Sequence, residues 1–265
     1  MNFPDYETLA LSRADDQVLV VTLNRPQVLN AINTQMGRDT LDLWSRLTAD
    51  AGELRCVVLT GAGDRAFCAG GDLKQRNGMD DAAWRAQHEI FERAFVALLE
   101  CPIPVIAAVN GHAFGGGLEN ALACDFIYAS RNARFALSEV RLGIMPGGGG
   151  TQTLARAVGE RRAKELIMRA QAFDAEQAFA WGLVNHLSEP GQVLQDALLA
   201  AGEIAANAPL SVRQAKKSIH FGLQMDIATG YRLEIEAYNR LVVSEDRREG
   251  VRAFNEKRRP DFKGR

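Results

Sequence analysis

The chain has 265 residues, enough for one large domain or two small ones, and 47% of them are hydrophobic, as a well-buried core requires. The formal net charge of −2 argues against general binding to nucleic acids or anionic membranes and favours small-molecule chemistry. The four cysteines form no C-x-x-C pair, so we expect neither a zinc site nor a disulfide scaffold.

The N-terminal residues 1–10 do not resemble a secretory signal. They include the carboxylates of Asp5 and Glu7 and have no apolar centre. No apolar run elsewhere approaches the ~20 residues that span a bilayer. Widely spaced cysteines fit a reducing compartment. We therefore expect a cytoplasmic protein without a membrane segment.

Predicted strands and helices alternate through the first two-thirds of the chain. Runs of aliphatic residues predict strands at 18–23, 56–60, 105–109 and 184–187. Helical spacing predicts a helix capped by Asn33, another that opens near Asp80, and a short one over 118–124. From Thr151 onward the pattern is almost wholly helical. The order predicts an α/β core followed by helices suited to packing or assembly.

Two glycine-rich turns each follow a predicted strand. Gly70 and Gly71 belong to a loop expected over 61–78, and Gly115 to Gly117 belong to a turn expected over 111–117. Glycine lets a ligand approach the backbone, and a helix N-terminus adds unpaired N–H donors. Two such donors on one oxygen would form an oxyanion hole. Taken singly, each is better explained as a tight turn; the presence of two favours a site.

Two glutamates lie just beyond glycine clusters in apolar surroundings. Glu119 follows Gly117, and Glu139 precedes an apolar segment. Two carboxylates in one cleft can serve as acid and base, because burial and mutual repulsion separate their pKa values. The alternative is structural: Glu119 favours a helix N-terminus, and Glu139 pairs with Arg134 or Arg141. Spacing alone leaves these two interpretations equally supported.

Motifs of several other enzyme classes are missing. No Gly-Lys-Ser/Thr tripeptide follows Gly117 or the 147–150 glycine run, which excludes a P-loop. A G-x-G-x-x-G fingerprint with an acidic residue about 20 positions on is also missing. G-x-S-x-G and H-E-x-x-H do not occur either, so a serine hydrolase or zinc protease has no support.

Segments spread over nearly the whole chain match the motifs of one family. They are Asn24-Arg25-Pro26, Asn30-Ala31, residues 66–74, residues 104–111, residues 115–119, residues 143–152, residues 246–250 and Glu256-Lys257-Arg258. On these segments the sequence resembles the crotonase, or enoyl-CoA hydratase/isomerase, superfamily. The resemblance implies a spiral of repeated ββα units over 1–204, carrying the CoA-binding and catalytic site. It implies a helical oligomerisation region over 205–265, and a trimer or a dimer of trimers.

The resemblance also implies roles for single residues. The oxyanion-hole N–H groups correspond to Gly71 and Gly116, the catalytic carboxylates to Glu119 and Glu139, and a water-orienting backbone to Gly147. The residues implied to bind the substrate and its CoA arm are Arg25, Ala69, Asp72, Leu73, Lys74, Tyr238, Phe254 and Lys257. The last three reach the nucleotide end, in the same or a neighbouring subunit. No metal and no separate cofactor is expected, since CoA is part of the substrate.

Both glutamates are present, which favours hydration over double-bond migration, because isomerases of the family often keep only one. Within the family, 2-enoyl-CoA hydratases such as 3-methylglutaconyl-CoA hydratase are the most similar. The sequence departs from the family at Asn120, where a leucine is common, and at Gly71, which replaces a frequent alanine. His88 and Arg85 could recognise a carboxylate or polar group on the substrate, but a structural role is favoured for both.

Two other hypotheses stay open. An enoyl-CoA isomerase would use the same scaffold and move the double bond without adding water. A non-catalytic acyl-CoA-binding or RNA-binding protein belongs to another class, and only the basic residues after Asp246 support it. Nucleic-acid binding is therefore not expected.

Overall fold

The chain alternates strands and helices and then becomes helical. The computed structural model describes residues 3–265. The strands in this range are β1 (Leu9–Arg13), β2 (Val18–Leu23), β3 (Cys56–Gly61), β4 (Ala66–Cys68), β5 (Val105–Val109), β6 (His112–Phe114), β7 (Phe126–Ser130), β8 (Arg134–Ala136), β9 (Phe173–Asp174) and β10 (His186–Ser188). The α-helices are α1 (Thr34–Ala49), α2 (Leu73–Arg76), α3 (Asp81–Leu99), α4 (Gly116–Ala123), α5 (Gly150–Val158), α6 (Glu160–Met168), α7 (Ala175–Ala180), α8 (Val193–Ala205), α9 (Pro209–Gly222), α10 (Ile227–Val242) and α11 (Glu245–Glu256).

Two sheets share the strands in a repeating order. The larger sheet runs β1-β2-β3-β5-β7-β10, and the smaller runs β4-β6-β8-β9. Three times in succession, a strand of the larger sheet is followed by a strand of the smaller sheet and then by helical structure: β3-β4-α2, β5-β6-α4 and β7-β8 with a 3-10 turn. Neighbouring strands β2, β3, β5, β7 and β10 pair in parallel. The expected α/β spiral of ββα units is confirmed.

Burial on both faces explains the aliphatic strands of the larger sheet. Val57 and Leu59 of β3 face the main core, whereas Cys56 and Val58 face α8. Helix α8 covers that second face with small residues, among them Ala197. A parallel sheet covered on both faces needs apolar residues at consecutive positions, which is why these strands read as unbroken aliphatic runs.

Several short elements escaped the sequence prediction. Strand β4 and helix α2 lie inside the loop expected over 61–78, and β6 lies inside the turn expected over 111–117. The last predicted strand is shifted, to His186–Ser188. Three-residue strands have no periodicity to detect, and they form only because the neighbouring turn of the spiral supplies a partner strand. The cap at Asn33 is confirmed, since its side chain accepts a 2.9 Å hydrogen bond from the N–H of Met36.

The proposed boundary at 204/205 falls at the end of α8. The three helices after it carry many exposed apolar side chains, including Leu223, Ile227 and Phe254. The C-terminal residues nevertheless return to the core: Arg55, just before β3, donates to the carbonyl oxygens of Ala205 (2.8 Å) and Phe262 (2.7 Å). Within residues 3–265, no helix has the length and hydropathy needed to cross a bilayer.

A single glycine sets the distance between α4 and the smaller sheet. A methyl group on Gly117 would lie 2.1 Å from the carbonyl oxygen of Cys68, the last residue of β4. That distance is far below van der Waals contact, and a backbone carbonyl cannot rotate aside. Both glycine-rich loops adjoin this contact, so it determines their spacing.

We therefore expect Gly117→Ala to push α4 away from β4 and to lower the free energy of unfolding by about 1–3 kcal/mol, as overpacking does. Gly202→Ala is the matched control, because Gly202 lies inside α8 with nothing within 4 Å of an added methyl group. It should raise stability by about 0.5–1 kcal/mol. Urea unfolding of both variants measures the difference. Equal stabilities would contradict this account of the contact.

Candidate active site

A cavity of about 580 Å³ opens between the two glycine-rich loops and helix α3. Ile32, the glycine loops, the inner face of α3 and the segment 138–148 form its wall. The charged or titratable side chains that line it are Arg76, His88, Glu119 and Glu139. The polar groups are therefore few and converge on one space, the usual composition of a small-molecule site.

The structure brings the two glycine-rich loops together. A methyl group on Gly70 would lie 2.8 Å from the carbonyl oxygen of Phe114, 3.3 Å from the nitrogen of Gly116 and 3.5 Å from Cα of Gly115. The φ angles of Gly70 (90°) and Gly115 (50°) are both positive. Glycine is therefore required here both for the backbone conformation and for the close approach.

Two backbone N–H groups remain unpaired at this junction. Gly116 is the first residue of α4, where an N–H has no acceptor within the helix. Gly71 forms a parallel bridge to Ile32, but the bridge uses the carbonyl of Gly70 and the N–H of Asp72. In the described part of the chain, neither Gly71 nor Gly116 donates its N–H to an acceptor. Both donors are therefore available to a ligand at the cavity wall.

Glu119 is a buried carboxylate that the backbone holds in place. It lies in the first turn of α4 and is 5% exposed. Its Oε1 accepts hydrogen bonds from the N–H groups of Gly148 (2.8 Å) and Gly150 (2.9 Å). Burial raises the pKa of Glu119, and these two hydrogen bonds act in the opposite direction. Helix α4 and the 147–150 glycine run are thereby joined through one carboxylate.

Glu139 has a different environment. It begins the 3-10 turn Glu139–Leu142, and its Oε1 would lie 3.1 Å from a methyl group on Gly115. Its Oε2 is buried without a hydrogen-bond partner in residues 3–265. The pKa of Glu139 is raised to about 7, mainly by burial and to a smaller extent by the charge of Glu119, while its own backbone N–H acts in the opposite direction. Neither Arg134 nor Arg141 forms an ion pair with Glu139 among the described residues, so the pairing considered for Glu139 is wrong.

Helix α3 supplies another part of the cavity wall and packs against the 147–150 glycine run. A methyl group on Gly149 would lie 2.2 Å from the ring of Phe95, and one on Gly147 would lie 2.6 Å from Cε1 of His88. Trp84 and Phe91 line the same cavity. The aromatic stripe of this helix is visible in the sequence, but its pattern cannot distinguish a core face from a cavity wall.

Comparisons with known proteins agree with this geometry. A family model described as "Enoyl-CoA hydratase/isomerase" matches residues 13–265. The chain belongs to the enoyl-CoA hydratase/isomerase family. A short-chain-enoyl-CoA hydratase of Clostridium acetobutylicum is 42% identical over 95% of this chain and 96% of its own. A 2,3-dehydroadipyl-CoA hydratase of Escherichia coli is 38% identical over 97% and 99%.

Solved structures show the same likeness. The crystal structure of an enoyl-CoA hydratase from Bacillus anthracis superimposes with a TM-score of 0.95 at 39% identity. The match covers 98% of this chain and 100% of that one. The protein therefore has the crotonase fold. The spiral that carries its two glycine-rich loops is shared with an enoyl-CoA hydratase of known structure.

The residues expected along the CoA arm divide into two groups. Ala69 and Leu73 line the cavity, and Leu73 is 49% exposed at its rim. Arg25 pairs with Asp72 at 2.9 Å, and Asp72 caps α2 by accepting from Lys74 and Gln75. The Arg25–Asp72 pair therefore holds the start of α2, directly after Gly71.

The expected C-terminal residues lie elsewhere. Tyr238 is on α10, Phe254 is on α11 and Lys257 follows α11. Tyr238 is 63% and Phe254 84% exposed, and none of the three lines the cavity of its own chain. Within a single chain, these three residues therefore lie away from the cavity between the glycine loops.

Of the two polar residues considered on α3, only His88 lines the cavity. Arg85 is 79% exposed and faces Asp81 at 3.7 Å, on the outside of the helix. The arginine that lines the cavity is Arg76, which no sequence pattern indicated. Its position in α2, three residues after Leu73, gave no signal, because helix α2 was itself not predicted.

Proposed function

We propose that the protein catalyses reversible addition of water across the 2,3 double bond of an acyl-CoA thioester. The observation that carries the proposal is the pair Glu119 and Glu139, two carboxylates in unlike environments beside two unpaired backbone donors. Several relatives are named as hydratases, which supports the same reaction class.

The proposed oxyanion hole consists of the N–H groups of Gly71 and Gly116. A thioester carbonyl oxygen bound there would receive two hydrogen bonds, one of them from the N-terminus of α4. Water addition at C3 turns the thioester into an enolate, whose charge accumulates on this oxygen. Donors that are already oriented stabilise that charge more than they stabilise the neutral thioester, which lowers the barrier.

The two glutamates differ in a way that suggests separate roles. Glu119 accepts two backbone hydrogen bonds, which favour its ionised form, so it is the proposed base that takes a proton from water. Glu139, with a pKa of about 7 and a buried oxygen without a partner, is the proposed acid that delivers a proton to C2. In dehydration the two roles reverse. Gly147, at the cavity wall beside His88, is the proposed backbone that orients the water.

For the substrate, we propose that the pantetheine arm leaves the cavity past Ala69 and Leu73, with Lys74, Asp72 and Arg25 nearby. Tyr238, Phe254 and Lys257 would contact the nucleotide end from a neighbouring subunit. The reaction needs no cofactor, because the thioester itself activates the double bond and the protein supplies the donors, the acid and the base.

The competing hypotheses fare differently. The family description includes isomerases, so double-bond migration is the alternative on the same scaffold. The basic tail, which alone supported RNA binding, is partly paired within the chain: four of its eight lysines and arginines after Asp246 contact a carboxylate. Arg252 and Arg258 both pair with Glu249, and Arg265 pairs with Glu245 at 3.0 Å.

Glu119→Gln and Glu139→Gln should each lower kcat for enoyl-CoA hydration by about 100-fold or more, because each removes a proton-transfer group. Binding of a saturated acyl-CoA should persist, which calorimetry measures. Water labelled with ¹⁸O should enter the product of the wild type. Double-bond migration without label would identify an isomerase, and unchanged rates in both variants would refute the role of the pair.

The pH profile follows from the shared proton. The proposed mechanism requires one proton on the Glu119–Glu139 pair. The value of kcat/KM should therefore fall above pH about 7, where Glu139 loses that proton. The value of kcat/KM should also fall at low pH, where Glu119 binds a proton and the pair then holds two. Hydration neither releases nor consumes a proton, so the profile should be the same in both directions. Initial rates with an enoyl-CoA and with its 3-hydroxy product measure this. If kcat/KM fell at a different pH for hydration than for dehydration on the alkaline side, the single shared proton would be contradicted.

We also propose that the C-terminal helices mediate a trimer or a dimer of trimers. Ile219, Leu223, Ile227 and Tyr231 form an exposed apolar groove between α9 and α10, and Ile227 is 90% exposed. Closed assembly would bury this surface. Sedimentation should give three or six chains, and Ile227→Asp should shift the equilibrium toward smaller species. Sedimentation of the wild type as a monomer would exclude the proposal.

A further inference from the structure

The guanidinium of Arg76 lies in the cavity wall without an anionic partner. Its Nε donates to Oε1 of Gln87 at 2.9 Å. Its Cζ lies 4.3 Å from the centre of the Trp84 ring and 5.6 Å from that of Phe91. The aromatic rings and one hydrogen bond therefore fix the plane of the group, while its two terminal nitrogens stay uncommitted.

No carboxylate of the described residues pairs with Arg76, and neither terminal nitrogen donates to an acceptor there. Burial lowers the pKa of Arg76, the direction that a desolvated cation without a partner takes. Removing a charge from water without a counter-charge is costly. Arg76 is half-buried, and a cation in a cleft that lacks a counter-charge is a candidate for binding a ligand that supplies one.

Neighbouring residues hold the guanidinium in place. Gln87 is 3% exposed and is itself anchored, since its Nε2 donates to Thr34 (2.8 Å) and to Gln75 (2.9 Å). The same Gln75 accepts from the N–H of Thr34 at 2.8 Å, which joins α1 to α2. Such a network orients the side chain before any ligand arrives and reduces the entropy lost on binding.

Arg76 also lies beside the proposed oxyanion hole. Its Nη1 would be 3.4 Å from a methyl group on Gly71, and it lines the same cavity as both glutamates. An acyl chain whose thioester oxygen binds at Gly71 and Gly116 would enter this cavity. A plain alkyl chain would cover the guanidinium with apolar groups and leave its charge unpaired.

We propose that Arg76 binds a carboxylate on the acyl chain, and that the preferred substrates are CoA thioesters of unsaturated dicarboxylic acids. The planar, fixed fork of an arginine suits a carboxylate bound through two hydrogen bonds. The inference rests on the proposed function, because it places the thioester at the glycine loops. Carboxylate binding is thereby assigned to Arg76, and not to Arg85 or His88, which the sequence suggested for this role.

Substrate preference tests the assignment. Three kinds of substrate are compared. They are crotonyl-CoA, the CoA thioesters of five- and six-carbon 2-enedioic acids, and the same two thioesters with the free carboxylate converted to a methyl ester. The wild type should show a kcat/KM about 10- to 100-fold higher for a free acid than for its methyl ester, as a charged hydrogen-bonded contact gives. Arg76→Gln should remove that preference, so that a free acid and its methyl ester give similar kcat/KM values. Arg76→Lys should retain part of it.

Arg85→Gln is the matched control, since Arg85 is exposed on α3 and lies outside the cavity. It should leave all rates unchanged. Unfolding midpoints of the variants separate lost recognition from lost structure. An equal loss on every substrate in Arg76→Gln would overturn the inference and assign Arg76 to the enolate or to the CoA phosphates. A wild type that prefers the methyl esters or crotonyl-CoA would also overturn it, while leaving hydration intact.

Failure of the proposed function has a different signature. A wild type that hydrates none of these thioesters would refute the hydratase proposal. Calorimetry with the saturated dicarboxylic acyl-CoA would then decide the inference separately. Tighter binding of the free acid than of its methyl ester, lost in Arg76→Gln, would support carboxylate recognition, and equal binding would overturn it.

Discussion

The close backbone contact between β4 and α4 is the constraint on which the site depends. Because Gly117 has no side chain, the helix can approach the carbonyl of Cys68, and the loop at Gly70 can lie against Gly115 and Gly116. The two unpaired N–H groups are therefore held by packed backbone and not by flexible side chains. Donors held this way need little reorganisation when charge develops on a bound oxygen.

The same contact positions the charges. Glu119 enters the cavity from the first turn of α4, and the N–H groups of Gly148 and Gly150 hold it there. Glu139 comes from the next turn of the spiral and has no such support for its buried Oε2. Burial raises the pKa of both side chains, but the backbone hydrogen bonds from Gly148 and Gly150 oppose that effect only at Glu119. Arg76 lines the same cavity, which therefore presents two carboxylates and a cation to one ligand.

Much of the fold could be predicted from sequence. The long aliphatic strands and the capped helices have strong periodicity, and the spiral of ββα units followed from the resemblance. Strands β4 and β6 could not be predicted, because three residues carry no pattern. Asn30 shows the same limit: it is fully buried, and its side chain donates to the carbonyls of Ala62 and Ala66. A buried amide of this kind is recognisable only once its distant partners are placed.

The sequence by itself determined the family, the α/β class and the residue types at the site: two glutamates, two glycine loops and an aromatic helix. The tertiary structure decided which of these meet. It placed Arg76 inside the cavity and Arg85 outside, and it left Tyr238, Phe254 and Lys257 away from the cavity of their own chain. The reason is physical. Local patterns report which face of an element is apolar, whereas burial, pKa and the absence of a charge partner depend on groups far apart in the chain.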